Sequence, residues 1–116
     1  MVFIESSNFT DSISDYLTDE GYREFQLSLI LNPNAGSVIP GCGGLRKVRY
    51  IDPRRGKGKR GGLRIIYLLI PEQQWIFLLD IYGKDEKDDL TSGEKKVLAR
   101  LAARLKETAK GIKKGR

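Results

Sequence analysis

The sequence predicts an α+β domain, and two changes of hydrophobic period carry that prediction. Apolar residues recur at helical spacing up to about residue 31, form strand-like runs between Leu45 and Tyr82, and return to helical spacing after Thr91. A chain of 116 residues is one domain's worth of sequence, so these segments share one fold. The expected architecture, over residues 1–116, is a small domain with a mainly antiparallel sheet, an N-terminal helical hairpin and a C-terminal helix.

Val2 to Ile4 is a short apolar stretch ending at Glu5 and reads as a strand, while Ser6 and Ser7 are residues suited to cap a helix. Phe9, Ile13, Tyr16 and Leu17 then fall on one helical face. Thr18 followed by Asp19 and Glu20 marks a second start, with a hydroxyl for a free N–H and acids where the helix dipole is positive. Tyr22, Phe25, Leu29 and Ile30 continue that helix to Asn32-Pro33, because a residue before proline avoids helical angles. Residues 33–44, rich in Pro, Asn, Gly and Ser, read as a connection.

Leu45 to Ile51 is β-compatible, with Val48 and Tyr50 pointing one way and Lys47 and Arg49 the other. Leu63 to Ile70 and Trp75 to Tyr82 are nearly continuous apolar runs, as in central strands, joined through Pro71, Glu72, Gln73 and Gln74. The three strands in succession make a meander. Thr91 with Glu94 three residues later is a capping box, and Val97, Leu98, Leu101, Ala102 and Leu105 form the stripe of a final helix. The tail 110–116 mixes Lys and Arg with Gly and is expected to fray.

Composition narrows the chemistry. The chain has no histidine, which excludes His-based ribonuclease pairs, Ser-His-Asp triads, Cys-His dyads and HExxH zinc sites. A single cysteine, Cys42, excludes an intrachain disulfide and a Cys-rich metal site, so no cofactor or metal is expected and a reducing compartment suits the chain. The acidic N-terminal stretch MVFIESSNFTD does not resemble a secretion signal. The longest apolar runs fall far short of the roughly 20 residues of a spanning helix. A cytoplasmic protein without membrane association is therefore the expectation.

Lys and Arg total 21 against 15 Asp and Glu, a net charge of +6 that favours a polyanionic partner. The charge is blocked: −5 over residues 1–43, +8 over 44–64, −4 over 65–90 and +7 over 91–116. The first basic block begins with Arg46, Lys47 and Arg49 on a strand, continues through Arg54, Arg55, Lys57, Lys59 and Arg60, and ends at Arg64. A charge run of this kind is often only solvated surface. Here Gly56, Gly58, Gly61 and Gly62 interleave with the cations and permit close approach of backbone to phosphate. Two motif matches carry no weight: Gly56 to Gly61 fits G-x-G-x-x-G but leads into a strand rather than a helix, and Asn8-Phe9-Thr10 has no secretion signal to make it a glycosylation site.

The order of these elements resembles the RelE superfamily of bacterial toxins, most closely its HigB type. The resemblance rests on Gly43-Gly44-Leu45-Arg46-Lys47-Val48-Arg49, on Lys57-Gly58-Lys59-Arg60-Gly61-Gly62-Leu63-Arg64-Ile65-Ile66-Tyr67, on Ile81-Tyr82-Gly83-Lys84-Asp85-Glu86 and on Asp89-Leu90-Thr91. It covers residues 2 to about 105, and its specificity lies in the order and spacing of the blocks. It implies a RelE-like sheet whose one face is active, with the two early helices on the other. It also implies a ribosome-dependent messenger RNA endonuclease, or mRNA interferase, that enters the ribosomal A site, cuts the codon there and inhibits translation.

The implied partners are the ribosome, its messenger RNA and a cognate antitoxin. In the HigB type the antitoxin carries a helix-turn-helix domain, and operator DNA is reached only through the toxin–antitoxin complex. By the same resemblance Arg49 matches the basic residue ending the first meander strand, Arg64 the arginine of the strongest motif, and Lys84 the lysine of the Gly-Lys block. Lys57, Lys59 and Arg60 fall in the family's RNA- and ribosome-contacting loop. The chain departs from the RelE pattern at Asp85, where a second arginine is expected, and no tyrosine follows shortly after it.

Metal-independent cleavage by 2′-hydroxyl attack needs a base, an acid and a stabiliser of phosphorane charge. Arginine stays protonated, so Arg64 and Arg60 suit the stabilising role. Lysines crowded by other cations lose proton affinity, which makes Lys84, Lys59 and Lys57 the candidates for proton transfer, with Tyr82 a weaker one. Arg46, Lys47, Arg49, Arg54 and Arg55 complete the expected RNA- or ribosome-binding set. Two other readings compete: a gyrase inhibitor of the ParE type on the same fold, and a noncatalytic RNA or ribosome module.

Overall fold

The computed structural model describes residues 1–51 and 62–111. The described elements are β1 (Val2–Glu5), α1 (Ser7–Ile13), α2 (Asp19–Leu31), β2 (Ser37–Val38), β3 (Arg46–Tyr50), β4 (Leu63–Ile70), β5 (Trp75–Gly83) and α3 (Ser92–Lys110). They form an α+β fold around one sheet of strand order β1-β5-β4-β3-β2. Strands β2 to β5 pair antiparallel and β1 pairs parallel to β5, so the sheet is mixed. Among these residues, no helix is long and apolar enough to cross a membrane.

The helix starts follow their side chains. Ser6, Thr18 and Thr91 each accept a hydrogen bond from the backbone N–H three residues on, and Glu94 closes the capping box at Thr91. Helix α1 stops at Ile13, so Tyr16 and Leu17, read from spacing as part of it, lie in the turn that follows. Ser12, Ser14 and Asp15, residue types with weak helix propensity, stand where the helix ends. Strand β2 falls in the stretch read as a pure connection, and its two residues are too few to show a period. The β4–β5 link is one turn of 3-10 helix over Pro71–Gln73, closed by Gln74 at a left-handed φ of 57°.

Both faces of the sheet are covered, by different helices. Phe9, Phe25 and Leu29 of the hairpin pack on Leu63, Ile65, Tyr67, Ile76, Leu78 and Ile81. On the opposite face, Ala102 and Ala109 of α3, flanked by Leu98, Leu101 and Leu105, cover Ile66, Leu68, Ile70, Phe77 and Leu79. This two-sided burial is why β4 and β5 read as continuous apolar runs.

One irregularity sets which face the end of β5 presents. The β4–β5 register steps from Ile66↔Asp80 to Tyr67↔Leu78, leaving Leu79 as an extra residue in a bulge. Leu79 belongs to the α3-side core while Ile81 belongs to the hairpin-side core and Tyr82 again to the α3 side. Without the bulge, Leu79 and Ile81 would share a face and Tyr82 would point into the helical hairpin.

Candidate nucleic-acid interface

The bulge brings a row of three residues together across β3, β4 and β5: Arg49 pairs with Arg64, and Arg64 with Tyr82. Directly paired positions on neighbouring strands point to the same face, so the row lies on the α3 side near the end of the sheet. Lys84 follows there, its backbone N–H donating to Gly62 O at 3.0 Å while its side chain is exposed. Arg49, Tyr50, Ile51, Gly62 and Arg64 line a cavity of about 140 Å³ at this end.

The electrostatics of the row are unusual for a core. Arg64 is only 6% exposed, yet among the described residues no acceptor hydrogen-bonds its guanidinium. The Tyr82 hydroxyl is buried and has no hydrogen-bond partner among those residues either. Burial, reinforced by the Asp89 carboxylate, pushes Tyr82 up to about 12, and the Arg64 guanidinium offsets part of that rise. Tyr82 therefore keeps its proton at neutral pH and can donate it, but is a poor base. Unpaired buried polar groups cost free energy, on the order of 1–3 kcal/mol each. A guanidinium and a phenol on adjacent strands, without acceptors among the described residues, mark a place suited to an anion that would accept from both.

Lys87 was not singled out by the sequence. Its ammonium lies 4.8 Å from the centroid of the Tyr82 ring and donates to Glu94 Oε2 at 2.7 Å. The Lys87 hydrogen bond, together with the Thr91 N–H, holds the Glu94 carboxyl below its usual value. The start of α3 is thereby tied to the Tyr82 ring through the same glutamate that completes its cap.

Other predicted residues separate. Lys47 lies on the α3 face, with its ammonium 3.2 Å from Asp89 Oδ1. Arg46 is on the hairpin side of β3, where it donates to Gly36 O at 2.7 Å and to Asn34 O, apart from Lys47 and Arg49. The binding set expected from sequence groups Arg46 with Lys47 and Arg49, but the alternation of β3 turns Arg46 to the opposite face, where backbone carbonyls hold it. Arg54, Arg55, Lys57, Lys59 and Arg60 lie outside the described residues. A larger groove of about 900 Å³ runs between the α1–α2 turn and the end of β3, but Glu20 and Glu24 on its wall suit it poorly to a phosphate.

No model of a known protein family matches the chain.

Proposed function

We propose that the protein is a toxin of the RelE superfamily, HigB type, acting as a ribosome-dependent endoribonuclease on messenger RNA in the A site. The observation that carries this reading is the Arg49–Arg64–Tyr82 row, in which the buried Arg64 guanidinium and the buried Tyr82 hydroxyl have no hydrogen-bond partner among the described residues. In the proposed step the 2′-hydroxyl attacks the adjacent phosphorus, and the P–O5′ bond breaks to leave a 2′,3′-cyclic phosphate and a 5′-hydroxyl. Arg64 stabilises the phosphorane charge, since a preorganised cation in a water-poor site acts without reorganising. Tyr82, which holds its proton, donates to the leaving 5′-oxygen. Lys84 at the rim is the base candidate among the described residues, and Lys57 and Lys59 share that role in the proposal.

A site made of fixed cations and one reluctant acid has little power to orient a mobile strand, so the ribosome supplies orientation and free RNA is a poor substrate. The same reading gives the protein a cognate antitoxin as its partner. The test is primer extension on messenger RNA incubated with purified protein, with and without translating ribosomes, beside Arg64→Ala. We expect cuts that require both ribosomes and Arg64, with a loss of about 10²–10³ in rate for the variant, the scale of losing one stabilising donor. Absence of cuts in every condition, from folded protein, would overturn the reading. Inhibition of purified gyrase would then favour the ParE-type alternative.

A further inference from the structure

Next to the proposed cleavage row lies a groove that the catalytic reading does not use. It has a volume of about 680 Å³, within the range of ligand clefts, and lies between the β2–β3 edge and the start of α3. Ser37, Ile39, Lys47, Arg49, Asp89 and Lys95 are among its walls. Arg49 also lines the small cavity beside Arg64, so the groove and the row are continuous through one side chain.

The charges in this groove are arranged around a single carboxylate. Lys47 from β3 approaches Asp89 Oδ1 at 3.2 Å, and Lys95 from α3 approaches Asp89 Oδ2 at 3.6 Å. Asp89 is fixed from below by the Leu90 N–H, at 2.7 Å from Oδ1, and this bond with the two ammonium groups holds its carboxyl below the usual value. Half of the Asp89 side chain is exposed, as is about a third of each lysine side chain. Two cations from different elements thus share one accessible anion, and exposed pairs of this kind hold each other weakly. A phosphate brought in by a strand already anchored at Arg49 can take the carboxylate's place between them.

We infer that Lys47 and Lys95 form a second phosphate subsite for single-stranded RNA, occupied by Asp89 until the strand arrives. This inference rests on the proposed RNA cleavage site and extends it by one direction of travel: from the Arg64 row, past Arg49, towards the start of α3. Lys95 becomes an RNA contact on α3, a helix to which the sequence assigns no nucleic-acid role. Asp89 is a built-in competitor that lowers affinity for strands too short to reach both places.

The test is equilibrium binding of a fluorescent single-stranded RNA oligonucleotide to the full chain across a salt series, a readout independent of cleavage. Lys95→Ala should weaken binding several-fold and reduce the slope of log K against log salt by about 0.7, the share of one phosphate contact on a single strand. Asp89→Asn keeps an acceptor for the Leu90 N–H but removes the competing charge, and should tighten binding several-fold at low salt. Lys110→Ala makes the same change of net charge at the far end of α3, where Lys110 lies 3.7 Å from Glu107, and should leave the slope unchanged. A Lys95→Ala slope equal to that of the parent, an equal loss from Lys110→Ala, or no gain from Asp89→Asn would overturn the subsite. In each of those results, RNA binding that still depends on Arg49 and Arg64 leaves the cleavage reading standing. Failure of the parent protein to bind RNA in any salt would overturn the subsite, and the cleavage reading would then stand or fall on the ribosome-dependent primer extension.

Discussion

The two faces of the sheet use the same residue types to opposite ends. On the hairpin face the polar tips of buried side chains are satisfied: the Tyr67 hydroxyl donates to Pro33 O at 2.7 Å and accepts from Gly36 N–H at 2.9 Å. Arg46 on that face likewise spends its guanidinium on backbone carbonyls, so its charge fastens the 33–36 connection to the sheet. On the α3 face, Tyr82 and Arg64 are as deeply buried, and neither finds a partner among the described residues. Satisfied polar groups specify a fold, whereas the same groups left unpaired raise its free energy until something binds. The difference separates the face that holds the domain together from the face we assign to function.

The sharpest way to break that contrast is to weaken the hairpin face directly. Phe25 is fully buried there and meets the Tyr50 ring edge-on at 5.1 Å. Phe25→Ala should cost about 3–5 kcal/mol in urea denaturation, the range for emptying a buried aromatic site. A loss below about 1 kcal/mol, the scale of a surface change, would mean that the hairpin does not anchor the fold.

A matched pair of substitutions comes next. Tyr67→Phe orphans the Gly36 N–H and the Pro33 carbonyl and should cost roughly 1–3 kcal/mol. Tyr82→Phe removes a hydroxyl that has no partner among the described residues, and should leave stability unchanged or raise it while slowing cleavage. Equal destabilisation by the two would erase the proposed distinction between the faces.

Much of this organisation is legible in the sequence, and the reason is that it is local. Thr18, Thr91 and the proline after Asn32 act on backbone within a turn, so α2 and α3 begin and end close to where those residues place them. The alternation in Leu45 to Ile51 assigns Lys47 and Arg49 to a common face, which the register bears out. What is not legible depends on partners distant in sequence: β1 beside β5, the bulge at Leu79, and the packing of α3 on Ile66, Leu68 and Phe77. The closeness of Lys87 to Tyr82 and of Lys95 to Lys47 follows from those same long-range placements, and neither lysine stands in a pattern that would mark it. Gly36 is a related case: a Cβ there would come within 3.0 Å of the Lys47 carbonyl and within 2.9 Å of the Tyr67 ring. That demand is invisible until β3 and β4 are set beside the connection.

The smallest expected effect is a pH dependence confined to the α3 face. Asp89 and Glu94 have carboxyls lowered by their hydrogen bonds and by lysines, so they favour the folded state when ionised. That contribution is present above the ordinary carboxylate range and is lost as pH falls through the lowered folded values. Thermal melts should show Tm falling on acidification, with a shallower fall in Glu94→Gln. An identical acid profile for parent and variant would show that the Lys87–Glu94 contact contributes nothing to it.

The extra residue at Leu79 makes the register of β5 a matter of odd and even. Were the bulge flattened with all its residues kept, every position downstream would change side, and Ile81 and Tyr82 would exchange faces without altering the chemistry of either. The strand would still pair and remain apolar, yet a phenol would enter the hairpin core and an isoleucine would take its place beside Arg64. Point substitutions along β5 are graded changes and loss of the extra residue itself joins Leu78 to Asp80 in unbroken register, whereas a slip of the strand by one residue is an inversion. Descendants of this sequence can therefore drift in composition along the strand far more freely than in register.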